Sequence, residues 1–470
     1  MPKLFSTKKQ IKESNLVKPD LYTHRKSPLE SLKAKKLAED AINDTEKLVN
    51  EFGPRMTGSE ACKACGERIN ERLEEFCDFT SKQNFNHKGK AFSLWLKILP
   101  YIYVSTLVLL LFGFSFLPLL LNLFFSYYVY REFIIYKPIF EKGVKTTNAM
   151  NIHGIIEPDE EVEQTIVFSA HHDSAQLLNY NRGERGHFLN VELPLILFGA
   201  AFIVNIVDIL VELLTNKIFT LGFPSITTVI FIILLLIASP IVFKLKNYYS
   251  DKGSPGAGDN LISSNILIQL SKYFDWKKSN NNGLKNTRLI FTSFDAEEVG
   301  VRGSSVWFDK HQALLINPMQ LNFDCIYNSE DLVFIDSDIN GLSPLSKELA
   351  QKCVKLANDM GFDAKNHPLP FLSGATDAAS GARANVDSCT LMAIDFSTGI
   401  KNSYFHTSKD TADKIDPKAV EKAISIAIKL ANNIDKNISD ENQSLITVEE
   451  EKEKEDDIED LLKFNKIARR

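Results

Sequence analysis

The longest uncharged run in the chain places the strongest limit on its fold. No charged residue stands between Lys97 and Arg131, and apolar side chains dominate the run. A single helix of this length would measure about 50 Å at 1.5 Å per residue, whereas the hydrocarbon core of a bilayer is roughly 30 Å thick. We therefore predict a tight transmembrane hairpin over residues 91–136, broken near Gly113–Pro118, with tyrosines towards both ends as an interfacial belt.

A second apolar region follows further along the chain and predicts another pair of spans. Residues 193–214 and 223–243 are each long enough to cross a bilayer, so we expect a second hairpin over residues 189–246. The first of these segments carries three polar residues at helical spacing: Asn205, Asp208 and Glu212. Such a stripe is more typical of a face packed against neighbouring helices or headgroups than of a conducting path.

Charge and cysteine content narrow the class of protein. The net charge is −6, from 54 Lys and Arg against 60 Asp and Glu, and the acidic excess near the end of the chain argues against a nucleic-acid partner. The six cysteines, with no apolar stretch after Met1, suit a reducing compartment and free thiols. Cys62 and Cys65 share a helical stripe with Ile69, which favours core packing over a zinc clip.

Several predicted strands and loops end in side chains that bind metals. The apolar residues 290–294 predict a buried strand that is followed by Glu297 and Glu298. Adjacent glutamates point in different directions, so one can bind a metal while the other handles a proton. Further donors stand at other strand ends and in loops: His171, Asp259, Asp324 and His406. With one glutamate these make five nitrogen and oxygen ligands, which are too many for one catalytic zinc and suit two.

The predicted strand at residues 165–170 runs directly into His171 and Asp173. Because side chains alternate along a strand, these two residues share a face, and Asp173 can accept a hydrogen bond from the ring nitrogen that His171 does not use for a metal. The alternative interpretation of His171 and His172 is an ordinary surface pair after a strand. Convergence with the other donors would favour the metal site.

The motifs around these donors resemble those of the M28 family of zinc peptidases, the aminopeptidase group with two co-catalytic metals. The matching segments occur in the family's order: residues 52–60, 170–174, 256–260, 295–298, 303–304, 322–324, 405–407 and 410–411. The resemblance implies an α/β fold in which a mixed central sheet is flanked by helices in three layers. The two membrane hairpins would be insertions in that fold.

The resemblance also implies roles for individual residues. Asp259 would bridge two zinc ions, His171 and Asp324 would complete one site, and Glu298 and His406 would complete the other. Glu297 would be the general base: it would take a proton from the water that becomes the attacking hydroxide and would pass that proton to the leaving amine. Asp173 would support catalysis by orienting the first histidine ligand.

Some positions depart from the family's pattern. His172 stands where tyrosine is frequent, and Gly258 precedes Asp259 where the family most often has a further aspartate. Neither change removes a ligand. Residues 373–377 resemble a loop that often reads Ser-Asp-His, but here the sequence is Ser-Gly-Ala-Thr-Asp, so no role for Asp377 is assigned.

The predicted hairpins and the predicted metal site together predict a membrane topology. His171 and Asp259 must meet at one site, so the chain between them crosses the bilayer an even number of times, and about four spans result. Positive residues flank the spans on the catalytic side: Lys97, Arg131, Lys137, Lys244 and Lys246. Only Lys217 lies at the opposite ends. By the positive-inside rule, we expect an integral membrane protein whose catalytic domain is cytoplasmic.

We therefore expect a membrane-anchored zinc aminopeptidase whose partners are a peptide substrate and the lipid bilayer. The alternatives are an amidohydrolase of other specificity (carboxypeptidase, deacylase or glutaminyl cyclase), a non-catalytic receptor or scaffold, and a small transporter that uses Asp208 and Glu212. We predict a flexible leader (1–30), N-terminal catalytic helices (31–90) and hairpin 1 (91–136). The catalytic segment with the first ligand (137–188), hairpin 2 (189–246) and the catalytic segment with the other ligands (247–438) follow, and an acidic disordered tail (439–470) ends the chain.

Overall fold

The ranges described by the computed structural model of the protein are residues 33–139, 141–179, 183–215, 224–396 and 404–440. The predicted leader, residues 1–30, lies outside these ranges, and so does the predicted acidic tail from residue 441 onward.

A nine-stranded mixed sheet forms the centre of the catalytic domain. Its strands are β1 (Phe79–His87), β2 (Thr147–Ile156), β3 (Gln164–His171), β6 (Thr287–Phe294), β7 (Pro318–Ile326), β8 (Leu332–Asp338), β9 (Ser343–Pro344), β10 (Ala364–Pro368) and β11 (Asp387–Ala393). The order is β1-β2-β6-β3-β7-β11-β8-β10, and β9 pairs with β8. The central strands β6, β3, β7 and β11 run parallel, and their continuous apolar runs suit burial on both faces.

Helices cover both faces of this sheet. They are α1 (Ala34–Phe52), α2 (Glu60–Glu74), α7 (Ile262–Ser279), α8 (Arg302–His311), α9 (Lys347–Asp359), α10 (Ala378–Arg383) and α11 (residues 417–440). Phe168 faces the larger core with residues of α1, α2, α7, α9 and α11, whereas its neighbour Val167 faces a second core with Trp307 of α8. The predicted mixed sheet flanked by helices is confirmed. All six cysteines are buried and none forms a disulfide, and Cys65 packs in the larger core.

Four apolar helices pack into a bundle beside the catalytic domain: α3 (Leu94–Leu111), α4 (Phe116–Val129), α5 (Leu193–Leu214) and α6 (Ile226–Val242). Among the described residues, three helical stretches are long and apolar enough to cross a membrane: Gly89–Leu111, Arg185–Leu214 and Ile226–Asn247. Helix α4 has 14 residues, so it measures about 21 Å. The break between α3 and α4 falls at residues 112–115, which overlaps the first half of the predicted break at Gly113–Pro118.

Candidate metal centre and active site

The carboxyl ends of the central strands bring the predicted donors to one edge of the sheet. His171 is the last residue of β3 and lies level with Phe294, the last residue of β6. Glu297 and Glu298 follow β6 within one turn, and Asp324 lies near the end of β7. Because parallel strands end at the same edge, donors that are far apart in sequence meet there.

Three of these donors form a first group. His171 Nε2 lies 3.5 Å from Asp259 Oδ1, and one donor atom each of His171, Asp259 and Asp324 lies within 4.8 Å of the others. All three side chains are buried. Asp259 reaches them from the short irregular segment that precedes α7. A ring nitrogen and two carboxylates at this spacing can hold one metal ion.

A second group shares Asp259 with the first. His406 Nε2 lies 3.2 Å from Asp259 Oδ2 and 3.1 Å from Glu298 Oε2. The donor atoms of these three residues also lie within 4.8 Å of one another. Asp259 thus presents one oxygen to each group, which is the arrangement that a carboxylate bridging two metals requires. The structure brings together all five residues predicted as ligands.

Asp173 contacts both a predicted ligand and the glutamate loop. Its Oδ1 lies 3.3 Å from His171 Nδ1, as the alternation along the strand predicts. The same carboxylate accepts hydrogen bonds of 3.2 Å from the backbone N–H groups of Glu297 and Glu298. Asp173 therefore fixes the histidine ring and the loop that carries both glutamates. The second of these contacts was not predicted, because it depends on backbone positions far along the chain.

Glu297 lies beside the donors with its carboxylate Oε2 at 3.8 Å from His171 Nε2. Burial raises the pKa of Glu297 well above its usual value; the His171 charge opposes this, and the carboxylates of Asp377, Glu298 and Asp324 add to it. Burial likewise raises the pKa of Asp324 to about 8. Several carboxylates in one dry site thus repel one another, and a bound cation would relieve that repulsion.

A second observation indicates that the donor set suits a zinc ion. Asp259 Oδ2 and Glu298 Oε1 are buried and have no hydrogen-bond partner among the described residues. Buried carboxylate oxygens without partners are costly. The oxygen and nitrogen donors present are ones that zinc accepts. Glu298 Oε1 and Asp259 Oδ2 are therefore better suited to bind a metal ion than to accept a hydrogen bond from the protein.

Residues outside the predicted site hold its loops in place. Arg55 is fully buried, and its guanidinium donates to the carbonyls of His172, Pro255 and Gly256 at 3.1, 2.8 and 2.7 Å. It therefore ties the loop after α1 to the end of β3 and to the segment that carries Asp259. Residues 52–60 were identified only as a segment that matches the family's motifs, so the role of Arg55 was missed.

Asp410 and Asp377 were also missed as site residues. Asp410 accepts hydrogen bonds from the N–H groups of Gly258 and Asp259 at 2.8 and 3.2 Å, which fixes the backbone of the shared ligand. Asp377 is fully buried, and neither of its oxygens has a hydrogen-bond partner among the described residues. Burial raises the pKa of Asp377 to about 7. The nearby His171 charge acts in the opposite direction, so Asp377 belongs to the same electrostatic cluster.

Two of the departures from the family's pattern have structural explanations. A Cβ on Gly258 would lie 2.0 Å from the ring of Tyr327, so no larger residue fits there without moving the ring. His172 is fully buried, and its Nδ1 pairs with Ser293 Oγ at 2.9 Å on the neighbouring strand. Both positions therefore belong to the packing that supports the ligands.

The fold and the two donor groups together give an α/β domain that could hold two metal ions at one edge of its sheet. Residues 244–431 match Peptidase family M28, which confirms the resemblance over this segment of the chain. The aminopeptidase YwaD of Bacillus subtilis (strain 168) is 24% identical over 185 residues, which cover 39% of this chain and 38% of YwaD. The matched region thus spans less than half of that relative.

Solved structures with a related fold cover most of the chain. A glutaminyl cyclase from Bacteroides thetaiotaomicron bound to N-acetylhistamine superposes with a TM-score of 0.50 at 14% identity, covering 84% of this chain and 97% of the cyclase. BSAP, a zinc aminopeptidase from Bacillus subtilis, gives a TM-score of 0.49 at 13% identity, covering 87% and 95%. The cyclase structure is similar in fold alone.

Proposed function

We propose that this chain is a membrane-anchored aminopeptidase that removes N-terminal residues from peptides and uses two zinc ions. The observation that carries the proposal is the pair of donor groups that share Asp259. His171 and Asp324 complete one group, and Glu298 and His406 complete the other. Two metals with one common carboxylate explain why so many buried acids converge at one edge of the sheet.

The zinc ions, when bound, would polarise the scissile carbonyl and lower the pKa of water. The chain's own residues then perform the remaining steps. Glu297 takes a proton from the attacking water and gives it to the leaving amine, and its raised pKa suits a group that must hold the proton between these events. Asp173 keeps the His171 ring oriented and holds the backbone of Glu297 and Glu298 in position.

We propose four membrane spans. The segments before and after each hairpin contact each other, so each hairpin must cross the bilayer an even number of times. β1 pairs with β2 on either side of α3 and α4. His171 meets Asp259 on either side of α5 and α6. Either both helices of a pair cross the bilayer or neither does, and α4 continues into a π-helical turn at Tyr130–Ile134 that lengthens it. The positive residues at the catalytic ends of the spans favour a cytoplasmic catalytic domain.

A substrate screen on the purified full-length protein tests the proposed activity. Chromogenic amides of single amino acids with a free amine are compared with the same amides carrying an N-acetyl block, with and without a chelator. We expect hydrolysis of the free-amine amides alone and its loss with chelator. Equal cleavage of blocked amides, cyclisation of an N-terminal glutamine peptide instead, or full activity in chelator would each contradict the proposal.

A further inference from the structure

A large cavity adjoins the second donor group. Its volume is about 1250 Å³, and the predicted ligands Glu298 and His406 both line it. Asp295, the last residue before the turn that carries the two glutamates, lines it as well. A peptide whose scissile bond lies at the metal donors therefore has room to extend into this cavity. The side chains along the cavity are placed to select the substrate.

The walls of the cavity are the chain segments that enter and leave the two membrane hairpins. Hairpin 1 contributes residues between 89 and 97 where it begins and residues 143–147 where the chain returns from it. Hairpin 2 contributes residues 174–176 before it and Tyr249 and Asp251 after it. These last segments belong to β4 (Gln176–Leu178) and β5 (Tyr249–Gly253), which pair with each other. The cavity thus runs from the metal donors to the base of the helical bundle.

Two lysines at the start of hairpin 1 line the cavity from one helical face. Lys90 and Lys97 lie on either side of Leu94 at helical spacing, within the continuous helical stretch Gly89–Leu111. Residues at this spacing share a face of a helix, and all three line the cavity. The two lysines are separated by about 10 Å along the helix axis. Both are exposed.

A third lysine comes from the segment that returns from hairpin 1. The last pair of β1 and β2 joins His87 to Thr147. Lys90 follows this pair by three residues and Lys145 precedes it by two, so both lysines leave the sheet at the same corner. Lys145 is exposed and also lines the cavity. Lysines from two segments therefore border one part of the cavity.

These three lysines have no partners of opposite charge in the described part of the chain. None of their side chains forms an ion pair or a hydrogen bond with another described residue. Glu141, the acidic residue closest to Lys145 in sequence, pairs instead with Arg302 at 3.2 Å, and Arg302 also pairs with Glu132 at 2.8 Å. The local acids are thus used elsewhere, and the lysine charges are free for a ligand.

Positive charge exceeds negative charge along the cavity outside the loop of the two glutamates. Lys63 of α2 lines it together with the three lysines above, whereas Glu60 and Asp251 are the acidic residues of this part of the lining. An excess of positive charge in a cavity attracts negative groups and favours ligands that carry them. The negative group of a peptide is a carboxylate, either on an acidic side chain or at the C-terminus.

We propose that this cavity binds the part of the peptide that follows the removed residue, and that Lys90, Lys97 and Lys145 bind a carboxylate there. The favoured substrates are then peptides with a carboxylate after their first residue. This inference rests on the proposed peptidase function. It gives the segments around hairpin 1 a part in substrate choice, in addition to anchoring.

The test compares three peptides on the purified full-length protein: Leu-Ala-Ala-amide, Leu-Asp-Asp-amide and Leu-Ala-Ala with a free C-terminus. Release of leucine gives kcat/KM for each. We expect at least one peptide with a carboxylate to exceed the neutral amide by about tenfold, as for a hydrogen bond between charged groups. Preference for Leu-Asp-Asp-amide alone assigns the lysines to an acidic side chain, and preference for the free acid alone assigns them to the C-terminus. Salt at roughly 0.5 M should reduce the preference.

A triple variant and a matched control locate the preference. In Lys90→Gln/Lys97→Gln/Lys145→Gln, we expect the ratio of kcat/KM between the favoured peptide and the neutral amide to fall to within twofold of one. The control Lys35→Gln/Lys365→Gln/Lys429→Gln makes the same change in net charge at exposed lysines that do not line the cavity. Its ratio should equal that of the wild-type protein.

The outcomes separate this inference from the proposed function. Hydrolysis of all three peptides at equal kcat/KM, or a ratio that survives in the triple variant, would overturn the inference and leave the aminopeptidase proposal standing. If no peptide is hydrolysed, the proposed function fails, and calorimetric titration of the same peptides into the wild-type protein decides the inference. Tighter binding of a peptide with a carboxylate, lost in the triple variant, would support it. Equal binding, or none, would overturn it.

Discussion

Two regions of this molecule contain clusters of buried polar residues, and the clusters differ. In the helical bundle several of these residues form hydrogen bonds: Asn205 Nδ2 donates to the carbonyl of Ser115 at 2.8 Å, Ser115 Oγ contacts Glu212, and Asn122 Nδ2 donates to Thr106 Oγ1 at 3.0 Å, while Asn205 Oδ1 has no partner among the described residues. At the sheet edge, by contrast, carboxylate oxygens converge on one another and on two histidines, and Glu298 Oε1 and both oxygens of Asp377 have no hydrogen-bond partner in the described part of the chain.

The difference separates polar groups that hold helices together from polar groups that await a ligand. A hydrogen bond between helices is satisfied when the chain folds and needs nothing further. A cluster of buried carboxylates with unpaired oxygens is stabilised when a cation joins it. We therefore propose that the hydrogen-bonded polar residues of the bundle are structural and that the donors at the sheet edge are the site of chemistry. The predictions below test this distinction.

The largest effect is expected for Glu297→Gln at the catalytic site. The amide keeps the size of the side chain but cannot carry the proton, so kcat should fall by about 10²- to 10⁴-fold. Zinc content should remain at the wild-type value, because Glu297 is not among the five proposed ligands. Steady-state kinetics and elemental analysis of the same preparation measure both quantities. A variant with wild-type kcat would remove Glu297 from the mechanism.

Metal removal should lower the thermal stability of the catalytic domain. A ligand at 100 times its Kd stabilises the folded state by about 2.7 kcal/mol, which corresponds to a shift in Tm of about 5–10 °C. We expect chelator to lower the Tm of the wild-type protein by this amount and zinc to restore it. The variant Asp259→Ala should show no such shift. An unchanged wild-type Tm in chelator would mean that the carboxylate cluster folds without metal.

Much of the catalytic site follows from sequence, because strand ends of a parallel sheet share an edge. Residues 290–294 and 165–170 predict strands from composition alone, and the donors that follow them meet as expected. Contacts between side chains and distant backbone groups have no such pattern. Asp410 binding to the N–H of Asp259 and Arg302 pairing with Glu132 join residues that no periodicity relates, so these supports became evident only in the structure.

We expect stability to depend on pH through His153, a buried side chain that lies away from the metal donors. His153 accepts from Trp307 Nε1 at 3.3 Å, and burial lowers its pKa to about 3, with the neighbouring His311 charge adding to the shift. The unfolded chain takes up this proton near pH 6.5. The contribution of neutral His153 to the free energy of unfolding is therefore complete above that pH. It is lost as pH falls towards 3, by about 1.4 kcal/mol per pH unit.

The variant His153→Gln isolates this contribution, since the other titrating groups remain. Between pH 7 and pH 5 the wild-type protein should lose about 2 kcal/mol more stability than the variant. Denaturation followed at both pH values measures the difference. Equal losses in the two proteins would show that His153 is not held neutral in the folded state.

The smallest effect is expected for Glu212→Gln in the bundle. Because the amide can still pair with Ser115, stability should change by about 1 kcal/mol or less, and kcat/KM should stay within twofold of the wild-type value. Thermal unfolding and the amide assay measure the two quantities. A loss of activity comparable to that of Glu297→Gln would contradict the structural role of the bundle residues and favour a path through the membrane helices.

The central claim is that Asp259 joins two zinc ions in one active site. The most direct measurement is the number of zinc ions per chain in the fully active protein and in Asp259→Ala, determined by elemental analysis alongside the amide assay. We predict two zinc ions per chain in the wild-type protein and, in the variant, fewer than one with no hydrolysis. Full activity with a single zinc ion, or a variant that keeps both ions and its rate, would contradict the claim.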